Sequence, residues 1–289
     1  MRKQGSRTAE SSAAQRALHT LHGHDPKIFE DPFALELAGP SAKWIFGPRP
    51  AAWLLMRLYP WILPMVAHHL ARARYVEELL DAMLSEGLEQ YVLLGAGMDS
   101  FAFRRLDLTE RLTVFEIDHP GTQAKKRSRL RKLGWPEPRH VRYVPVDFET
   151  QNLREEMMQG GLDDGKLTLV AWMGVAPYLT EESIANTLKD VAIVTPPGSE
   201  IVFDTLDGTA VTTGRDSVVG RRMFRAAKWM GEPMISGFDP PEISRILNEA
   251  GFEMVEVVSP DAFARLWFDG RSDLPPPWEH VYVVRARVC

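Results

Sequence analysis

Short apolar runs with strand character recur along this chain, and the stretches between them mostly carry a helical period. YVLLG at 91–95, LTVFEID at 112–118, VRYVPVD at 141–147, LTLVAWM at 167–173, EIVFDTL at 200–206, EMVEVVS at 253–259 and HVYVVRAR at 280–287 are rich in β-branched and aromatic residues and predict seven strands. The pattern shifts toward a 3.6-residue period over 121–133, 181–194 and 241–250, which predicts helices between strands. Ahead of the first strand, Tyr75, Val76, Leu79, Leu80, Met83 and Leu84 fall on one face of a helix that Gly87 ends. Such alternation predicts an α/β, doubly wound, Rossmann-like sheet of seven strands.

The connection between the last two strands has no helical period, so these strands are expected to pair antiparallel. A parallel sheet closed by such a pair suits methyl transfer better than hydride transfer, because a dinucleotide dehydrogenase continues with parallel strands and crossover helices. Segments 207–240 and 260–279 are expected as insertions in a core spanning 76–289, with residues 1–75 forming an N-terminal helical lid. Lid and insertions together form a mainly helical cap over the carboxyl ends of the strands, where open α/β sheets bind ligands.

With 289 residues and 45% hydrophobic content, the chain is long enough for one elaborated domain. A net charge of −5, with cations dispersed apart from a run at 125–132, gives no nucleic-acid footprint. Cys289 is the only cysteine, which excludes intramolecular disulfides and fits a cytoplasmic location. The N-terminal 17 residues contain no apolar core of the kind a secretory leader needs. Arg57, Pro60 and Pro64 interrupt the apolar stretch 51–71, so no membrane span is expected, and that stretch shows no basic face for surface anchoring.

The chemistry concentrates in GAGMDS and FEID. Gly95 and Gly97 end the first strand and permit a tight turn and close backbone approach, while Asp118, 118 − 97 = 21 positions on, ends the second strand where a carboxylate accepts ribose hydroxyls. Glu116 shares its sheet face. The third glycine of the dinucleotide fingerprint is absent, since Ser100 stands there. Asp147, ending VPVD, either accepts from an adenine amine with Phe148 over the ring or caps a helix. Asp99 likewise either caps the helix after the turn or faces a ligand amino group. Arg72 and Arg74 precede the first strand; two residues apart on a helix, they point differently, so one at most reaches a ligand carboxylate.

In order and spacing, GAGMDS, FEID, VPVDF and AWMGVAPYL resemble the leucine carboxyl methyltransferase family, and within it the bacterial small-molecule branch. The resemblance runs from about Thr8 and includes DPFA at 31–34. It implies S-adenosylmethionine as cofactor. Residue by residue, it implies Arg72 at the methionine carboxylate, Gly95, Ala96 and Gly97 under the cofactor, Asp118 with His119 at the ribose, Asp147 and Phe148 at the adenine, and Asp99, Met173 and Gly174 near the methionine end. The family has Trp-Glu-Gly where this chain has Trp172, Met173 and Gly174, so the cofactor's amino group lacks one acceptor.

On the acceptor side the candidates are Tyr178, His68 and His69. A carboxylate acceptor is ionised near neutral pH and needs no base, whereas a hydroxyl benefits from one. Trp44, Trp53, Trp61, Trp229, Trp267 and Trp278, six of the eight tryptophans, fall in the cap and are expected to wall an apolar pocket or to pack the cap onto the core. The expected function is O-methylation of a small apolar metabolite. A cofactor-binding regulator without turnover and a methyltransferase acting on a protein C-terminus stand as alternatives. No metal constellation is present: His22 and His24 lack a third ligand nearby.

Overall fold

The computed structural model describes residues 7–148, 150–212 and 217–289. Seven strands form one sheet: β1 (Gln90–Leu94), β2 (Thr113–Asp118), β3 (Val141–Pro145), β4 (Thr168–Trp172), β5 (Glu200–Leu206), β6 (Phe252–Val258) and β7 (Val281–Val288), in spatial order β3-β2-β1-β4-β5-β7-β6. Strands β1 to β5 pair parallel, while β7 lies antiparallel between β5 and β6. Each expected strand is present within one or two residues of its sequence boundaries.

Helices α1 (Arg7–His22), α2 (Ala34–Ala38), α3 (Pro40–Phe46) and α4 (Arg49–Leu58) precede the long α5 (Leu63–Ser85), which leads to β1. Pro60 and Pro64 explain the break in the apolar stretch: α4 stops before Tyr59, a single tight turn covers Pro60–Ile62, and Pro64 sits in the first turn of α5, where a missing N–H costs nothing. Since α5 runs unbroken across residue 75, lid and core share one rigid element. The short α6 (Phe101–Arg104) follows the glycine turn, and α7 (Pro120–Leu133), α8 (Leu153–Gln159) and α9 (Glu181–Val194) make the crossovers. Then come α10 (Gly208–Thr212), α11 (Val218–Met230), α12 (Pro240–Ala250) and α13 (Pro260–Phe263). Segment 260–279, which shows no helical period, holds α13 and one wide helical turn, Ala264–Phe268.

Strands β1, β4 and β5 are buried at every position because helices cover both faces of the sheet. Alternate residues split between two cores: Leu93, Ala171, Val202 and Val283 pack with α5, and Val92, Leu94, Trp172 and Phe203 pack with α8, α9 and α12. Burying both faces fixes the strand register, which in turn aims the loops at the carboxyl edge into one place.

Candidate functional site

A cavity of about 990 Å³ opens at the carboxyl edge of β1, β2 and β4. Its floor is the turn after β1, where Gly95 and Gly97 lie in the left-handed region at φ +73° and +53°. Both need glycine for a second reason. A Cβ on Gly95 would run into Val175, and one on Gly97 would stand 2.9 Å from Ala9 of α1, which crosses the turn.

Asp118, half-buried at the end of β2, accepts from the Gly97 N–H through one carboxylate oxygen and from the His119 N–H at 2.6 Å through the other. Burial raises its pKa against the pull of those two donors. His119 also caps α7, accepting from the Gly121 N–H at 3.1 Å, and both residues line the cavity. Glu116 does not reach it. One pleat further in, it is buried against Lys126 Nζ at 2.6 Å, with burial still raising its pKa.

The two readings of Asp99 hold together: its Oδ1 accepts from the Phe101 N–H at 2.6 Å, and it lines the cavity. Asp147 and Phe148 line the far end. Asp147 is not the cap of α8, a role Asn152 fills by accepting from the Glu155 N–H at 3.2 Å.

On α5, the two arginines separate. Arg72 is buried and lines the cavity, whereas Arg74 pairs with Glu78 at 2.7 Å and lies over the Trp267 ring at 4.8 Å. Arg72 Nη1 donates to Asp204 Oδ2. Asp204 is a fully enclosed acid in the middle of β5 that also accepts from His68 Nε2 at 3.1 Å and, through Oδ1, from the Gly174 N–H at 2.6 Å. Burial opposes its ionisation, but Arg72, His68 and the Gly174 amide together hold its pKa well below the usual carboxylate range. A Cβ on Gly174 would stand 3.0 Å from Arg72 Nη2, so glycine lets the backbone close on the guanidinium. No local pattern singles out Asp204, because its side-chain partners Arg72 and His68 lie 132 and 136 residues upstream. Its one local signal is an acid within the apolar run EIVFDTL.

His68 departs from expectation. Its ring is sealed away from the cavity, donates to Asp204, and leaves Nδ1 with no partner among the described residues. His69 does line the cavity; its Nδ1 lies 2.7 Å from Gln15 Oε1 and its Nε2 3.3 Å from Ser12 Oγ. Burial, then the positive charge of Arg72, holds its pKa well below the usual histidine value, so the ring is neutral near pH 7. Tyr178 lines the cavity too, with burial and the Asp204 charge raising its pKa. Met173, Gly174, Val175 and Leu179 complete that wall.

Two ion-paired cations were missed in the sequence. Arg16 donates through Nε to Asp31 of the DPFA element at 2.8 Å and through Nη2 to the Met98 carbonyl at 2.9 Å. Arg104 bonds Glu77 at 2.6 Å; Arg16, Met98, Arg104 and Glu77 line the cavity, and Asp31 does not. No tryptophan lines it: Trp44, Trp53 and Trp229 are exposed, and Trp278 is buried with Phe224 and Met223, which corrects the expectation of tryptophan walls.

The cavity fits a nucleoside-type cofactor with a zwitterionic tail. Left-handed glycines form a floor that a Cβ would fill, an acid with spare lone pairs ends β2, and acids and one half-used guanidinium lie at the β1–β4 side. Its volume is at the upper end for small-molecule sites, about 300–1,000 Å³, which leaves room for a second molecule beside a cofactor.

The leucine carboxyl methyltransferase family matches residues 9–192. Among similar proteins, the "Putative S-adenosyl-L-methionine-dependent methyltransferase YktD" of Bacillus subtilis is 37% identical over 217 residues, covering 75% of this chain and 71% of the relative. A protein of Mycolicibacterium paratuberculosis with the same description is 32% identical over 232 residues, covering 77% and 71%. Among solved structures, a methyltransferase-like protein of Thermobifida fusca aligns with TM-score 0.59 at 18% identity over 99% of this chain and 96% of its own. A DUF574 family protein of Streptomyces avermitilis aligns with TM-score 0.56 at 16% identity over 96% and 97%. These two likenesses are ones of fold.

Proposed function

This chain belongs to the leucine carboxyl methyltransferase family and is an S-adenosylmethionine-dependent methyltransferase, and on that premise we propose that it methylates a carboxylate or hydroxyl oxygen of a small, largely apolar metabolite. The observation that carries the reading is the size of the cavity: beside the glycine turn that α1 crosses, it has room for a cofactor together with a small acceptor.

When bound, S-adenosylmethionine supplies a methyl group activated by a sulfonium. Asp118 uses one lone pair on each oxygen for backbone N–H groups and keeps the others for ribose hydroxyls. Phe148 covers and Asp147 accepts from the adenine. Arg72 makes its single bond among the described residues to Asp204, so the remaining N–H groups of its fork are available to the methionine carboxylate. Asp204, by fixing that fork and the Gly174 amide together, positions the end of the site where Met173 replaces the family glutamate. Asp99 is the acid left for the amino group.

His69 and Tyr178 face the acceptor. With Nδ1–H donated to Gln15, the neutral His69 ring turns Nε2 to Ser12 Oγ at 3.3 Å and receives a hydroxyl proton by way of the Ser12 hydroxyl, while Tyr178 orients the oxygen. In-line placement of the acceptor oxygen provides most of the rate.

Calorimetric titration with S-adenosylmethionine and S-adenosylhomocysteine tests the cofactor grip: both should saturate, NAD should not bind, and Arg72→Ala should weaken both by at least tenfold. A radiolabelled-methyl assay then compares small carboxylic acids and phenols with a peptide bearing a free C-terminus. Labelling of the peptide alone would overturn the small-molecule reading, and tight cofactor binding with no transfer to any acceptor would favour a regulator.

A further inference from the structure

From Leu37 to Val76 the chain contains no aspartate or glutamate, although its net charge is −5. Within this stretch α3, α4 and the turn that follows expose Trp44 at 82%, Trp53 at 57% and Leu58 at 60%, with Leu54 and Tyr59 beside them. Arg49 and Arg57 are exposed among these apolar groups, and the Arg57 guanidinium lies over the Trp53 ring at 5.5 Å.

The sequence showed no basic face near this stretch because the missing cations come from elsewhere. Met223, Phe224 and Ala227 of α11 pack with Trp61 and Met65, which sets α11 beside the 60–62 turn. The outer side of α11 carries Arg222, Arg225 and Lys228 with Trp229 at 77% exposure, and no acid occurs from Ser217 to Gly231. The fold thus brings α11, with its outward cations and Trp229, beside the turn that follows the exposed apolar α3–α4 stretch.

We propose that this face, α3–α4 with the outer side of α11, docks on a bilayer containing anionic lipid. Tryptophan and tyrosine favour the headgroup level, and cations around an inserted apolar face are attracted to anionic lipids. No helix of the described residues is long and apolar enough to cross a membrane, so α4 lies in the interface. A second copy of this chain fits the face poorly, because a two-fold contact would set the acid-free surface against itself and bring like charges together. Position supports the same partner. The 60–62 turn leads into α5, which lines the cavity with His69 and Arg72, and α11 ends at Gly231, which lines it with Glu232 and Pro233. For the apolar acceptor of the function proposed above, the bilayer is also where the substrate collects.

The test is flotation of the full chain with phosphatidylcholine vesicles with and without phosphatidylglycerol, at low and high salt, a readout that requires no methyl transfer. Flotation only with phosphatidylglycerol, weakening with salt, is expected. Arg57→Gln with Arg225→Gln should lower partitioning by about fivefold for each charge, roughly 25-fold together. Trp53→Ser with Leu58→Ser should abolish it, while Leu106→Ser, an equally exposed leucine on another turn, should leave it unchanged. Circular dichroism confirms that the variants are folded. A monomer that does not float overturns the proposal, as does equal binding to vesicles lacking phosphatidylglycerol. A dimer that Trp53→Ser with Leu58→Ser dissolves, without flotation, assigns the face to a second copy instead.

Discussion

Two acids on the same sheet, Asp118 ending β2 and Asp204 within β5, sit in opposite electrostatic settings. Among the described residues, Asp118 is half-buried, receives only two backbone N–H groups, and is pushed up by burial. Asp204 is enclosed, receives a guanidinium, an imidazole and a backbone N–H, and is held far down. An acid left with raised pKa and spare lone pairs is poised for a ligand, and one saturated by buried donors serves the frame. A carboxylate open to a ligand and one that braces the frame are thus told apart by their donors and burial.

The sharpest way to break this contrast is Asp204→Asn. It strands Arg72 as a buried charge, so unfolding free energy should fall by about 3–5 kcal/mol in urea titrations. A loss below about 1 kcal/mol would mean that water or another group compensates and that Asp204 braces nothing. The converse change, Asp118→Asn, relieves a buried charge but sets an amide NH2 against one of the two backbone N–H donors, so stability should fall by about 1–3 kcal/mol, less than for Asp204→Asn. It also reaches the ligand: affinity for S-adenosylhomocysteine should drop by about 1.5–3 kcal/mol, the value of a hydrogen bond to a charged group, read by calorimetry. Gly97→Ala comes next, since its left-handed backbone costs about 1–2 kcal/mol with a side chain, and the Ala9 contact at 2.9 Å adds displacement of α1. That displacement should also loosen the Gly97 N–H from Asp118, so stability and affinity fall together.

Why one acid was legible and the other was not follows from distance along the chain. Gly95, Gly97 and Asp118 belong to one βαβ unit, whose geometry fixes their spacing, and the seven strands were readable because buried strands are apolar runs bounded by turns. Asp204 acquires its meaning from Arg72 and His68, which only the packing of α5 onto the sheet brings near, and no spacing rule spans that contact. The same packing buried His68 while leaving its neighbour His69 on the cavity, since adjacent helix positions face about 100° apart. Tryptophans misled for a different reason: their number identifies a cap, but which side of a short amphipathic helix meets the core depends on partners that the pattern does not name.

The last and smallest effect is a pair of opposite pH slopes. For Asp204 the folded pKa is depressed, so its contribution is full above the unfolded value of about 3.9 and disappears as pH falls through the folded value. For Asp118 the folded pKa is raised, so its contribution is full below about 3.9 and is lost as pH rises through the folded value. Urea unfolding across the acidic range for wild type, Asp204→Asn and Asp118→Asn resolves the two. Subtracting curves removes His19, which burial lowers to about 4 and which tilts all three downward between pH 6.5 and 4. The wild type minus Asp204→Asn difference should shrink on acidification below about pH 3.9, and the wild type minus Asp118→Asn difference should move the other way, in favour of wild type as pH falls through the raised Asp118 value. Two slopes of the same sign would place both acids in one electrostatic class and remove the distinction between contact and brace.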